Sequence, residues 1–188
     1  MFQPYDRMMK SIAAADPEAL YLLVNRPPPP GAVIQPLVQE IEVSLTPLDY
    51  WYQVTAGNES WVDIFEFKSR YESGMKQQIL NYGLRAHLSK GLPVRCTTIV
   101  MTPHGFPASF EELEPIERKG LISVRFETVK VWELNAGIAL GSGKPRMLSL
   151  VPFMRSNQDE LAEAGRRLLA PGLDEARAWF WKAARLEV

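Results

Sequence analysis

Two carboxylates and one lysine have a spacing that could assemble a metal-dependent phosphodiesterase site. Asp49 lies in the apolar run 48–54, and Glu66 and Lys68 end a second apolar run. Apolar side chains that alternate with polar ones predict two β-strands here. We therefore expect an acid on one strand and a Glu-x-Lys pair on the next.

The stretch between these predicted strands is typical of a tight turn. A turn centred on Gly57 and Asn58 pairs residues whose numbers add to 115, and a four-residue loop over 56–59 gives the same pairing. Glycine at the first central position suits a type II′ turn, and asparagine tolerates positive φ. In that register Asp49 lies opposite Glu66, with their Cβ atoms about 4.5–5.5 Å apart.

The chemistry that such a pair of acids could perform depends on a cation between them. Asp49 and Glu66 repel each other unless a positive charge neutralises them. Mg²⁺ (or Mn²⁺) prefers hard oxygen ligands and bridges to substrate phosphate, and a bound metal lowers the pKa of a coordinated water. Lys68 shares the face of Glu66, because strand side chains alternate, and could orient that water or stabilise the developing negative charge.

A structural interpretation of the same residues stays open. Asp49 and Glu66 could be solvated residues on the polar face of a hairpin, with Lys68 as their partner. A register slip of one residue would also place the two acids on opposite faces of the sheet.

Composition indicates an ordinary globular chain of one domain. The 188 residues are 46% apolar and 23% charged, with a net charge of -1. That balance argues against a strongly basic nucleic-acid coat protein, but a nuclease needs only a local basic groove. The single Cys96 excludes an internal disulfide and a multi-cysteine zinc site, and we expect it to be a buried core thiol.

The ends of the chain and its hydropathy bear on location. Charges occur within the first ten residues without an apolar segment and a small-residue cleavage site, so we expect no signal peptide. No apolar run of about 18 residues occurs, so we expect no membrane partner. A reducing cytoplasm is the expected compartment.

Periodicity predicts an α/β fold with a mixed central sheet flanked by helices. Met75, Ile79 and Tyr82 lie on one apolar stripe of a predicted helix, and Gly91 is expected to end this helix. The four prolines of 27–30 predict a stiff connector. The predicted elements are two short helices over 5–25, strands over 32–45, 48–54 and 61–68, a helix over 72–90, strands over 94–101 and 121–134, and helices over 157–169 and 173–186.

Two further segments have simpler interpretations. Residues 141–144 have the composition of a phosphate-binding loop, but Ile138 and Pro145 replace two required residues, so we expect a turn. The aromatic residues 179–181 are expected to be packing residues of the last helix. An exposed pair there could instead form a homodimer contact.

The stretch from Asp49 to Trp132 resembles the Rpn family of recombination-promoting nucleases and transposase-like proteins, within the PD-(D/E)XK nuclease superfamily. The likeness covers nearly half of the chain. It rests on Asp49, on the strand 61–69, on Met75 and the segment 78–82, on Pro93-Val94, and on the segment 126–134.

The resemblance implies a restriction-endonuclease-like αβββαβ core over about 5–134, with a C-terminal helical extension over about 157–186, and Mg²⁺-dependent cleavage of DNA. Asp49 and Glu66 match the family's metal-binding acids and Lys68 its catalytic lysine. The superfamily often adds an acid from the first helix, for which Glu18 is the candidate, with Asp16 next. Whether the chain cleaves DNA or is a silent nuclease-fold protein that binds nucleic acid or protein is left open.

Two positions depart from the family pattern, and two cations extend the predicted site. Lys68 stands where many relatives carry glutamine. The lysine matches the general superfamily pattern and therefore favours catalytic activity. Gln78 stands where relatives carry arginine, so it is a candidate polar catalytic helper with weaker contact to phosphate. Arg70 and Lys76 are candidate contacts to DNA phosphates, with a solvated helix face as the alternative.

Overall fold

The computed structural model describes residues 4–37, 50–107 and 124–185 of the chain. Its contacts divide the chain into two units. One unit is residues 28–129, and the other joins residues 1–27 to residues 130–188. The predicted α/β class with a mixed sheet is confirmed, whereas one nuclease-like domain over residues 1–188 stays a prediction.

A five-stranded sheet organises the unit of residues 28–129, and its strands lie side by side in chain order. The first three strands are antiparallel neighbours, and the third and fourth are parallel. The sheet is therefore mixed, as the alternation of strands and a helix predicts. The strands are β1 (Val33–Pro36), β2 (Tyr50–Ala56), β3 (Glu59–Lys68), β4 (Val94–Val100) and β5 (Val124–Lys130).

The β2–β3 hairpin has the predicted register. Tyr50 pairs with Phe65 and Ala56 pairs with Glu59, so paired numbers add to 115 and two residues form the turn. Gly57 has a φ of 59°, the positive value that a primed hairpin turn requires at its first central position. Asp49, which this register would place opposite Glu66, lies outside the described residues.

Helix α3 (Met75–Lys90) connects the parallel strands β3 and β4 and covers one face of the sheet. Ile79 and Tyr82 pack with Val62 and Ile64 of β3 in a buried cluster. The helix ends as predicted, because Gly91 adopts a left-handed conformation with φ 67° and donates its N–H to the carbonyl of His87.

Two predicted strands differ in extent from the observed ones. The predicted strand 121–134 contains β5, but the observed strand ends at Lys130. A 3-10 helix follows it over Val131–Glu133. A helical turn of three residues is too short for the sequence period to distinguish it from a strand. The predicted strand 32–45 contains β1, and its part beyond Leu37 lies outside the described residues.

The second unit is helical and packs around a long 3-10 segment, Pro145–Phe153. Residues 147–153 of this segment are all buried, although the sequence pattern gave no element there. Its neighbours are α1 (Pro4–Ala15), α4 (Gly137–Gly141), α5 (Gln158–Arg167) and α6 (Asp174–Ala184), and α2 (Glu18–Leu23) contacts α1 and α4.

The predicted helix boundaries in this unit have visible physical causes. Asp16 accepts a hydrogen bond from the backbone N–H of Glu18 at 3.1 Å, as expected of a residue at a helix start. Asn157 and Glu160 form a reciprocal capping box at the start of α5. Phe180 is buried, whereas Trp181 is 49% exposed, and a homodimer through it stays a prediction. No helix among the described residues is both long and apolar enough to cross a membrane.

Candidate functional site

Glu66 and Lys68 form a buried ion pair at the carboxyl end of β3. The Nζ atom of Lys68 lies 3.0 Å from Oε1 of Glu66, and their side chains are 13% and 5% exposed. They point to the sheet face that α3 covers, because they alternate in phase with Val62 and Ile64. The interpretation of Glu66 as a solvated hairpin residue is therefore wrong, since the helix excludes water from it.

Gln78, in the first turns of α3, contacts both members of this pair. Its Oε1 accepts a hydrogen bond from Lys68 Nζ at 3.1 Å, and its Nε2 lies 3.4 Å from Glu66 Oε1. The same Nε2 donates to the hydroxyl oxygen of Tyr82 at 2.7 Å, one turn further along the helix. Gln78 thus fixes the carboxylate and the ammonium relative to each other, and Tyr82 orients the Gln78 amide.

A second acid lies at the outer edge of this cluster. Glu72 Oε2 is 3.9 Å from Lys68 Nζ, and the Glu72 side chain is 43% exposed. An ion pair at that distance and exposure contributes little to stability. Its position still gives the ammonium of Lys68 a second carboxylate, on the solvent side of Glu66.

Thr98 of β4 is paired with Glu66 across the two parallel strands. Its side chain is fully buried, and its hydroxyl has no hydrogen-bond partner within the described part of the chain. Neighbouring strands lie about 4.8 Å apart, and paired residues share a face. The Thr98 side chain is therefore next to Glu66 across the two strands and on the same face, and its hydroxyl is unpartnered among the described residues.

The remaining predicted residues fall in different places. Asp49 lies outside the described residues. Glu18 belongs to the helical unit, where its carboxylate is 2.9 Å from Lys144 Nζ; Asp16 also pairs with Lys144. Arg70 is exposed just after β3, and Lys76 is half-buried in the first turn of α3.

Lys144 is the last residue of the turn predicted over 141–144, and α4 ends at Gly141. The two carboxylates accept hydrogen bonds from its ammonium and raise the pKa of Lys144, and Asp16 has the larger effect. In this structure Glu18 is thus part of an ion-pair cluster, and its assignment as a metal ligand stays a prediction.

The described part of the site supplies hard oxygen donors but not a complete metal centre. No three His, Cys, Asp or Glu side chains come together in residues 4–37, 50–107 and 124–185. Glu66 contributes a buried carboxylate, and Thr98, at the paired position of β4, an unpartnered hydroxyl. These donors fit the ligand chemistry of Mg²⁺, provided that a second carboxylate such as Asp49 joins them.

A second buried carboxylate lies on the opposite face of the sheet. Asp63 is fully buried and accepts hydrogen bonds from Nε and Nη2 of Arg95 at 2.7 and 2.8 Å. Trp61 Nε1 donates to the same carboxylate at 2.9 Å, and the Arg95 guanidinium lies 4.5 Å from the centre of the Trp61 ring. No local sequence pattern predicts this cluster, because Asp63 and Arg95 are 32 positions apart.

The fold and this geometry define an α/β protein with a buried acid–lysine–glutamine cluster at the carboxyl end of a central strand. Comparisons with protein-family models, with curated proteins and with solved structures find no match to the chain. The geometry of its own residues is therefore the basis for a functional proposal.

Proposed function

We propose that this protein is a metal-dependent DNA endonuclease of the restriction-endonuclease-like type, related to the Rpn family. The observation that carries the proposal is the buried Glu66–Lys68 pair bridged by Gln78. A buried ion pair at the carboxyl end of a strand is costly to desolvate. Buried charged groups of this kind are concentrated at functional sites.

Each residue of the cluster has a role in phosphodiester hydrolysis. Asp49 and Glu66 hold Mg²⁺ or Mn²⁺, which when bound supplies Lewis acidity and a water of lowered pKa. Lys68 orients the attacking water and stabilises negative charge on the phosphate oxygens. Gln78 keeps the Lys68 ammonium directed toward the attacking water and the phosphate oxygens.

Arg70 and Lys76 belong to the proposal as contacts to the DNA backbone. Both flank the Glu66 cluster in sequence, at the end of β3 and the start of α3. Phosphate contacts of this kind position a duplex without selecting a sequence, and they weaken as salt rises.

The direct test is nicking of supercoiled plasmid in the presence of Mg²⁺. The full chain should convert supercoiled to open-circular DNA, and chelation of the metal with EDTA should stop the reaction. Asp49→Asn, Glu66→Gln and Lys68→Met should each reduce the rate by about 100-fold or more, the size of effect seen when groups that stabilise the transition state are removed.

Glu163→Gln is the matched control, because this acid lies on the surface of α5 and pairs there with Arg166. It should nick like the unmodified protein, and circular dichroism should show that all variants fold. Equal nicking by Glu66→Gln would point to a contaminating nuclease and would refute the proposal. DNA binding without nicking would favour the alternative of a silent nuclease-fold binding protein.

A further inference from the structure

The strongest unexplained feature of the described residues is the buried hydroxyl of Thr98, the β4 residue paired with Glu66. Thr98 is 0% exposed, and no described residue forms a hydrogen bond to its Oγ1. Buried polar groups are nearly always hydrogen-bonded, and an exception inside a candidate site calls for a functional cause. A valine would fill the same space without the cost of desolvating a hydroxyl.

A cation bound to Glu66 would change the contacts of this carboxylate. In this structure, Oε1 of Glu66 contacts Lys68 Nζ at 3.0 Å and Gln78 Nε2 at 3.4 Å. A divalent cation on this carboxylate repels the Lys68 ammonium. Glu72, whose Oε2 is already 3.9 Å from Lys68 Nζ, is the acid toward which the ammonium can shift.

We propose that Thr98 is a positioning residue for Glu66 in the metal-bound state. Its hydroxyl donates a hydrogen bond to the Glu66 carboxylate and holds it in the orientation that binds the cation. The register supports this role, because Thr98 is the β4 residue paired with Glu66 and lies on the same face of the sheet. The inference rests on the proposed metal-dependent function.

The experiment measures Mn²⁺ binding to the full chain by isothermal titration calorimetry, with no DNA present. Thr98→Val removes the hydroxyl at nearly constant shape, and Thr98→Ser retains it. Partners of metal ligands typically contribute 10- to 100-fold in affinity, so Thr98→Val should weaken Mn²⁺ binding by about 10-fold or more. Thr98→Ser should stay within about 3-fold of the unmodified protein by the same reasoning.

Two controls separate a positioning role from a structural one. Thr97→Val alters a buried threonine that is adjacent on β4 but faces the other side of the sheet, and it should leave Mn²⁺ affinity unchanged. Without metal, Thr98→Val should unfold at the same temperature as the unmodified protein or higher. A lower unfolding temperature would mean that the hydroxyl stabilises the metal-free fold, which contradicts the proposal.

The outcomes also distinguish this inference from the function on which it rests. If Glu66→Ala abolishes Mn²⁺ binding while Thr98→Val binds normally, the metal site stands and the role of Thr98 is refuted. If the unmodified protein does not bind Mn²⁺, or if Glu66→Ala binds it equally well, the proposed metal site fails and the role of Thr98 fails with it.

Discussion

The ammonium of Lys68 lies 3.0 Å from the carboxylate of Glu66, two residues earlier on the same strand, and both side chains are nearly excluded from solvent. Residues two apart on a strand point the same way, but charged pairs at this spacing usually extend into water. Here α3 covers them, and Gln78 hydrogen-bonds to the ammonium. The contact is therefore a feature of the sheet–helix interface within this unit.

Breaking this pair should destabilise the protein strongly. Lys68→Met leaves the Glu66 carboxylate buried without its cation, and the loss should be about 3 kcal/mol of unfolding free energy. The double variant Glu66→Gln/Lys68→Met should lose at least about 1 kcal/mol less than the sum of the two single variants, because the interaction is counted in both. Urea denaturation at pH 7 measures all three values.

Arg166→Met is the control for that cycle. Arg166 pairs with Glu163 on the surface, with a side chain 72% exposed, so its removal should cost less than about 0.5 kcal/mol. A loss for Lys68→Met as small as this would contradict the prediction that the variant leaves an unpaired buried charge on Glu66.

The second buried carboxylate gives a separate stability prediction. Arg95→Leu removes the bidentate partner of Asp63 and should lower the unfolding free energy by about 3 kcal/mol. Asp63→Asn keeps the shape and can still accept a hydrogen bond from Trp61, so it should cost less than Arg95→Leu. The reverse order in urea denaturation would contradict the prediction that the unpaired buried carboxylate is the larger cost.

The hairpin turn depends on the conformational freedom of one glycine. Gly57 has a positive φ, and a Cβ added there would meet open space, so the cost of Gly57→Ala comes from backbone strain and not from a clash. That strain should lower stability by about 1 kcal/mol. Gly141→Ala is the control, because this residue also has open space but no positive φ and ends a helix, where alanine is favoured.

Tyr52 should make stability fall at high pH. Burial, with a smaller contribution from Tyr50, raises the pKa of Tyr52 above its ordinary value of 10.0. The unfolded chain then loses this proton at a lower pH than the folded one. The stability that the neutral Tyr52 contributes is therefore complete below about pH 10 and is lost as pH rises through the folded pKa.

Tyr52→Phe isolates this effect. The hydroxyl of Tyr52 has no hydrogen-bond partner among the described residues, so the variant should be about as stable as the unmodified protein at pH 7. Between pH 10 and pH 11 its advantage in unfolding free energy should grow by about 1 kcal/mol, because the unfolded tyrosine is about half ionised at pH 10 and mostly ionised at pH 11. If the difference in unfolding free energy between Tyr52→Phe and the unmodified protein stays constant across that range, the raised pKa of Tyr52 is contradicted.

Local signals predicted most of the regular elements. The Gly57-Asn58 turn set the β2–β3 register, and the apolar stripe with Gly91 located α3 and its end. These features depend on residues close in sequence, where turn chemistry and side-chain period act directly. The buried 3-10 segment Pro145–Phe153 was not predicted, because its residues are ordered by the helices around them and not by a period of their own.

The amino-acid sequence by itself determined the phase of Glu66 and Lys68, since alternation along a strand and a two-residue turn require only local geometry. Only the tertiary structure decided that α3 buries this pair, that Gln78 bridges it and that Thr98 pairs with Glu66 across the strands. Those contacts join β3, α3 and β4, which are separated along the chain. Their environment depends on how the helix packs on the sheet, which no short-range pattern of residues specifies.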